Sequence, residues 1–95
     1  MEHIYFDTVE LQLDTPKANF EAAKARADDS SKTLLREPML IAWYDGIEKE
    51  EHPQIPECQH KPGWIAYAEG HNGKLFIDVN QGQFMFIYAD IEDID

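Results

Sequence analysis

The sequence has little cysteine, little positive charge and no long hydrophobic run. Its single cysteine, Cys58, cannot form an internal disulfide, and no apolar stretch approaches the roughly 20 residues of a membrane-spanning helix. Eight Lys and Arg stand against nineteen Asp and Glu, which gives a net charge of −11 with neutral His. This charge repels nucleic-acid backbones and anionic membrane surfaces, so neither is an expected partner. The N-terminal segment lacks a basic stretch followed by an apolar one, and we expect a cytoplasmic protein.

Glycine is also scarce. The five glycines stand singly, so the Gly-rich loop that cradles a nucleotide phosphate is absent. Hydrophobic residues make up 43% of the 95 residues and charged residues 28%, which is typical of a folded globular protein and not of a disordered one. A chain of this length builds one core, so we expect a single domain over residues 1–95.

The N-terminal part of the chain shows the pattern of a strand followed by a helix. Residues 4–13 end in an alternation of apolar and polar side chains, which predicts a strand with one buried face. Thr15 and Pro16 suit the cap and the first position of a helix, and apolar residues then recur at spacings of three and four. The polar residues 28–31 either break this helix or form a solvated patch on it. Pro38 ends the helical region.

The middle of the chain combines an apolar strand with a long irregular segment. Residues 39–44 form a continuous apolar run, which predicts a strand covered on both faces. Residues 46–62 follow with three prolines, four glutamates, two histidines and the only cysteine, and we expect a loop there. Irregular segments of this length are uncommon in small domains unless they carry function, so this loop is the first candidate for a site.

The last third of the chain predicts a three-stranded antiparallel meander. Residues 64–69 are interpreted as its first strand, and the Asn72-Gly73 pair after them favours a type I′ hairpin turn. The two further strands are predicted at residues 75–79 and 84–89, and the turn between them at residues 80–82. The acidic tail, residues 90–95, is expected to fray.

Together these elements predict an α+β fold, in which a mostly antiparallel five-stranded sheet carries helix on one face. A single helical layer leaves the other face open, yet the predicted strands carry too many large side chains for one side, including Tyr67, Phe76, Phe84, Phe86 and Tyr88. We expect a homodimer that buries this second face, since small soluble proteins commonly close such surfaces by two-fold symmetry.

Cysteine and histidine are concentrated in the predicted loop. His52, Cys58 and His60 lie within nine residues, and a thiolate with two imidazoles is a ligand set that zinc favours. A fourth ligand is available among Asp45, Glu57 and His71. No Cys-x₂-Cys or His-x₃-His pair is present, so the alternative is a surface loop with a packed Cys58 and no cofactor. The same thiol next to an imidazole also suits a nucleophile, but the local signatures of cysteine enzymes are absent, which favours a protein that is not an enzyme.

Two tryptophans flank the predicted loop. Trp43 ends one predicted strand and Trp64 begins another, so the two rings line a concave aromatic site if these strand ends are neighbours. Packing of both rings in the core is the alternative. The candidate binding residues are therefore Trp43, Asp45, Cys58, Trp64 and Tyr67.

Several short segments together form a recognisable pattern: residues 38–45, Cys58 with residues 61–64, and residues 67–69, 73–80 and 86–88. These segments resemble a family of small bacterial and archaeal proteins that carry a domain of unknown function and are known mainly from structural surveys. The resemblance implies a cytoplasmic single-domain protein and no particular activity. It also implies that this chain has lost cysteines around Cys58, which counts against a thiolate metal site.

The sequence thus predicts a small acidic binding or accessory module. Its contact site is expected in the loop of residues 46–62 and on an aromatic face of the sheet, with a protein or a small molecule as partner. The alternative is a metal-dependent or thiol-dependent site, zinc-binding or hydrolytic, that uses His52, Cys58 and His60.

Overall fold

A computed structural model describes residues 6–14, 18–57 and 60–93 of the chain. Its elements follow in the order β1 (Asp7–Leu11), α1 (Phe20–Leu34), β2 (Pro38–Asp45), β3 (Glu50–His52), α2 (Gly63–Gly70), β4 (Leu75–Val79) and β5 (Phe84–Asp90), with a 3₁₀ turn at Ile91–Asp93. The predicted helix start at Thr15 and Pro16 lies outside the described residues, and so does Cys58.

The five strands form one mixed sheet in the order β1-β4-β5-β2-β3. β1 runs parallel to β4, whereas β4–β5, β5–β2 and β2–β3 are antiparallel pairs. The turn predicted at residues 80–82 joins β4 to β5, and all three of its residues have positive φ. The α+β class and the mostly antiparallel five-stranded sheet are therefore confirmed.

α1 covers one face of the sheet as a single unbroken helix. The side chain of Asn19 accepts a 2.7 Å hydrogen bond from the N–H of Ala22 and caps the helix start. The helix then runs unbroken through the polar residues 28–31, so the predicted break is wrong; only part of this stretch is solvated, because Asp29 is exposed but Ser31 is buried. Ala23 and Ala27 are fully buried, and their small side chains let α1 lie close to β4 and β5.

The prediction of a strand at residues 64–69 is wrong, because this segment forms most of α2. Trp64, Ile65 and Ala68 share one side of the helix and are buried against the sheet beside Phe76. The segment begins with five apolar residues in succession, and such a run suits a buried strand and a buried helix equally well. Its tertiary contacts therefore decide between the two.

The Asn72-Gly73 pair ends α2 and does not form a hairpin turn. Asn72 has a φ of 66°, as a type I′ turn requires, but it follows the helix C-cap His71. The N–H of Gly73 donates to the carbonyl of Ala68 at 2.9 Å. A left-handed residue with this bond is the Schellman ending of a helix. The predicted three-stranded meander is thereby reduced to the β4–β5 hairpin.

α2 covers the second face of the sheet. Side chains alternate along β4, so Leu75 and Ile77 pack in the cluster around α1 while Phe76 packs in the cluster around α2. The open apolar face from which the homodimer is inferred is thus closed by the chain itself, and homodimerisation stays a prediction without that support. Neither of the helices described is long and apolar enough to cross a membrane.

The segment predicted as one long loop is only partly irregular. A turn at residues 46–49 leads from β2 into β3, which pairs with the end of β2. Residues 53–57 then pass against the first turn of α2. Gly63 lies so close to this stretch that a Cβ on it would be 2.6 Å from the carbonyl oxygen of Pro56 and closer still to that of Ile55.

A partly buried hydrogen bond links α1 to the sheet. Tyr88 of β5 lies in the core and donates its hydroxyl proton to Asp28 Oδ1 at 2.6 Å, while Lys24 pairs with Asp28 Oδ2 at 2.8 Å. Burial raises the pKa of Tyr88, and the hydrogen bond and negative charge of Asp28 raise it further. Tyr88 is therefore a neutral structural donor.

A second carboxylate holds the connection between α1 and β2. Asp90 ends β5, and its side chain accepts hydrogen bonds from the N–H groups of Arg36, Glu37 and Glu92 at 3.0 to 3.2 Å. Burial alone raises the pKa of Asp90, but these N–H groups and the charge of Lys74 lower it below its usual value. The fraying predicted for the tail does not begin at this residue.

Candidate functional site

Two shallow depressions lie along the segment that follows β2. One, of about 400 Å³, lies between the start of α1 and the turn after β2, and it is lined by Asn19, Phe20, Glu21, Asp45, Ile47 and Glu48. The other, of about 410 Å³, is lined by Lys49, Glu50, Glu51, Gln54, Ile55 and Pro56. Both depressions are lined in part by residues 46–62, the segment that the sequence predicts as a functional loop.

An aromatic cluster adjoins the first depression. Phe20 of α1 packs on Trp43 of β2 with their ring centres 4.8 Å apart, and His52 of β3 stacks on Trp43 at 5.9 Å. Phe20 and Trp43 are half-buried and His52 is exposed, so solvent and ligands reach this cluster. Phe20 belongs to both the cluster and the depression, and it joins them into one surface.

We call this area the loop-end surface and define it by Phe20, Glu21, Trp43, Ile47, Glu48 and His52. Ile47 keeps 50% of its surface exposed, which is a large fraction for an aliphatic side chain. Glu21 and Glu48 are exposed and carry its negative charge. Among the described residues that line the depression, none is basic. The surface therefore combines apolar contact area with an acidic border.

Asp45, a predicted binding residue, stabilises the turn that presents this surface. Its side chain is buried, and Oδ1 accepts hydrogen bonds from the N–H groups of Ile47 at 2.9 Å and Glu48 at 3.2 Å. The N–H of Gly46 donates to the carbonyl of Gln83 at 2.7 Å, which ties the turn to the β4–β5 hairpin. Asp45 is thus a positioning residue for Ile47 and Glu48.

The structure separates the two tryptophans. Trp43 packs with the cluster around α1, whereas Trp64 belongs to the cluster around α2, on the opposite face of the sheet. Trp64 is only 2% exposed and lies between the rings of Tyr44 and Phe76, at 5.9 and 6.3 Å. The concave site lined by both tryptophans is therefore not formed, and core packing accounts for Trp64.

The two histidines predicted as metal ligands have different environments. His52 stacks on Trp43, while His60 is exposed with a φ of 66°. Within residues 6–14, 18–57 and 60–93, no group of three or more His, Cys, Asp and Glu is placed to hold a metal ion. The zinc alternative depends on Cys58 and stays a prediction. Tyr67 also lies elsewhere, since it stacks on His71 at 3.9 Å at the end of α2.

A family model described as Domain of unknown function (DUF5619) matches residues 6–88. The chain belongs to this family. The match begins just before β1 and runs into β5, so it includes both helices and the strands that carry the loop-end surface. The resemblance to a family of unknown function is thereby confirmed.

The DUF5619 chain is also similar to a solved structure, that of AF1514 from Archeoglobus fulgidus DSM 4304, described as a novel protein. The two share 25% sequence identity and superpose with a TM-score of 0.74, and the match covers 90% of this chain and 94% of that one. None of the curated proteins matches the chain. The comparisons establish the family and the fold, and the function rests on the site.

Sequence reasoning misses Phe20, Glu21 and Ile47 as site residues. Phe20 is spaced three and seven residues from Ala23 and Ala27, so the sequence assigns Phe20 to the core face of α1. Only the tertiary structure shows that its ring packs on Trp43 of β2 and thereby becomes part of the loop-end surface. Ile47 has a recognisable signal, because it is a lone aliphatic residue in a stretch that is otherwise charged or polar.

Proposed function

We propose that this DUF5619 protein is a small acidic binding module that contacts a positively charged protein partner through the loop-end surface. One observation carries the proposal: the half-buried ring of Trp43 packs on Phe20, which lines a depression together with a half-exposed Ile47 and the acidic residues Glu21 and Glu48. Apolar anchors with a charged border are the usual anatomy of a protein interface.

Trp43 is suited to anchor a partner. Aromatic side chains near the centre of an interface supply a large share of binding energy. Trp43 is held between Phe20 and His52, so it has little rotamer freedom to lose on binding.

The charge of the protein favours a basic partner. The net charge of −11 attracts cations over a long range and raises their association rate at low ionic strength. The N-terminus of α1 contributes a partial positive charge of about one half, but the full charges of Glu21 and Glu48 outweigh it. The same surface therefore disfavours acidic partners.

The test is an NMR titration with short peptides that have the same length and differ in net charge. Basic peptides should shift the indole N–H resonance of Trp43 and the amide resonances of Ile47 and Glu48, and acidic peptides should not. Ile47→Ala should weaken binding about fivefold, which is the effect of removing an anchor worth about 1 kcal/mol.

Leu34→Ala is the matched control. Leu34 is 52% exposed, against 50% for Ile47, and it lies at the other end of α1. Both substitutions remove a similar exposed aliphatic surface, so only the place differs. The proposal is wrong if the two variants bind basic peptides equally well, or if acidic peptides cause the same shifts as basic ones.

A further inference from the structure

The outer side of β1 is an open sheet edge within the described chain. Asp7 donates its N–H to the carbonyl of Lys74 at 2.8 Å, and the carbonyl of Leu11 accepts the N–H of Asn80 at 2.9 Å, so both bond inward. Backbone groups of successive residues in a strand point to opposite edges. The N–H and C=O groups of Thr8, one residue along, therefore point outward, where no described strand lies.

Glu10 continues the same outward row, because it lies two residues after Thr8. Both side chains are exposed, and β1 keeps a regular parallel register with β4 through all five of its residues. β1 contains no Pro and no bulge, which are two of the features that block the pairing of an edge. A strand can therefore be added beside it.

The opposite edge of the sheet is built differently. β3 has only three residues and is followed at once by Pro53, which cannot donate a hydrogen bond to a neighbouring strand. Short length and proline are recognised means of blocking edge pairing. The contrast indicates that β1, and not β3, is the edge able to receive a partner.

Charge indicates what kind of segment fits beside β1. Asp7 and Glu10 are both exposed, and because they are three residues apart their side chains lie on opposite faces of the sheet. Pairing with β1 of a second copy would bring together two chains of −11 each, which these charges oppose. A strand that carries positive charge is attracted instead.

We propose that an extended basic segment of a partner protein adds to the sheet alongside β1. It exchanges backbone hydrogen bonds with Thr8 and Glu10, and it places Lys or Arg side chains opposite Asp7 and Glu10. Residues directly opposite each other on paired strands share a face, so the two basic residues are three positions apart. This edge is separate from the loop-end surface, so the inference does not depend on the function proposed above.

The test uses a short peptide of alternating Thr and Val with two Lys residues three positions apart, and fluorescence anisotropy of the labelled peptide as the readout. Binding should slow hydrogen exchange at the amides of Thr8 and Glu10. A peptide with the same composition and N-methyl groups on alternate backbone nitrogens should bind at least about tenfold more weakly, since it cannot complete the ladder.

Substitutions on β1 separate backbone pairing from general attraction. Thr8→Pro removes an outward N–H and no charge, so it should leave the fold intact and weaken peptide binding about tenfold or more. Glu10→Pro removes an outward N–H together with the Glu10 carboxylate, so it should weaken binding further. Asp7→Asn with Glu10→Gln should weaken binding about two- to thirtyfold, as expected for two surface ion pairs.

Glu37→Gln with Glu57→Gln is the charge-matched control, because both side chains are exposed and neither lies on β1. This control should bind the peptide like the wild type. The proposal is overturned if the peptide fails to bind, if N-methylation or both proline variants leave its affinity unchanged, or if the control weakens binding as much as the β1 variants. A dimer that Glu10→Pro dissociates would also overturn it, by showing a second copy at this edge.

Discussion

The position of residues 53–57 depends on the absence of a side chain at Gly63, and Gly63→Ala tests this directly. An added Cβ would be 2.6 Å from the carbonyl carbon of Ile55 and 2.6 Å from the oxygen of Pro56, whereas real Cβ contacts are not shorter than 3.0 Å. These neighbours are backbone atoms and cannot rotate away. The carbonyl oxygen of Ile55 is closer still, so the backbone must move by more than 3.0 − 2.6 = 0.4 Å.

The expected magnitude combines two opposing effects. Overpacking of this kind costs about 1–3 kcal/mol, and the better helix propensity of Ala returns up to about 1 kcal/mol. We expect a net loss of about 1–2 kcal/mol in the free energy of unfolding. For a domain of this size, that lowers the melting temperature by about 4–16 °C.

Gly70→Ala is the matched control, because Gly70 ends the same helix and an added Cβ meets nothing within 4 Å. It should raise the free energy of unfolding by up to about 1 kcal/mol through helix propensity alone. Urea unfolding and thermal melts followed by circular dichroism measure both variants. Equal stability of Gly63→Ala and Gly70→Ala would refute the close contact between α2 and residues 53–57.

Three further predictions concern buried groups. Tyr88→Phe should lower the free energy of unfolding by about 1–2 kcal/mol in urea melts at neutral pH, since the hydrogen bond to Asp28 is lost. Because folding raises the pKa of Tyr88 above 10.0, the wild type should lose stability as pH rises past that value, and Tyr88→Phe should lose less in the same melts. Folding lowers the pKa of Asp90, so the stabilisation by its carboxylate is present above pH 3.8 and is lost as pH falls through the lower folded value. Asp90→Asn should therefore be less stable than the wild type at neutral pH, and its free energy of unfolding should fall less steeply as the solution is acidified. An equally steep fall in both proteins would contradict this. Acrylamide should quench the fluorescence of Trp64→Phe, which retains Trp43, more strongly than that of Trp43→Phe, and equal quenching would contradict the burial of Trp64.

Local sequence patterns were sufficient to predict secondary structure wherever the hydrophobic residues fitted only one type of element. The apolar run at residues 39–44 lies within β2, and the alternating residues 75–79 form β4. The positive φ values of Asn80 and Gly82 follow from these residue types. These features predicted the α+β class and most of the sheet, because strand alternation and turn chemistry act over a few residues.

The same local rules failed where a pattern suited two structures. Asn72-Gly73 accepts positive φ in a hairpin turn and at a helix end alike, and the bond from Gly73 to Ala68 shows which of the two is formed. The apolar segment 64–69 then became a helix, and with it the uncovered sheet face disappeared. The interpretation of Asn72-Gly73 as a hairpin turn thus led to an uncovered sheet face, and from that face to the expectation of a homodimer.

The loop-end surface takes Ile47, Glu48 and His52 from the segment that the sequence singles out, and its other residues come from α1 and β2. The sequence by itself determined the charge of the protein and the strands with clear alternation. Only the tertiary structure decided that Trp43 and Trp64 lie on opposite faces, that Asp45 is occupied by its own turn, and that Phe20 and Ile47 complete the loop-end surface. The physical reason is that strand and turn preferences are local, whereas a surface joins residues far apart in sequence through the packing of a helix on a sheet.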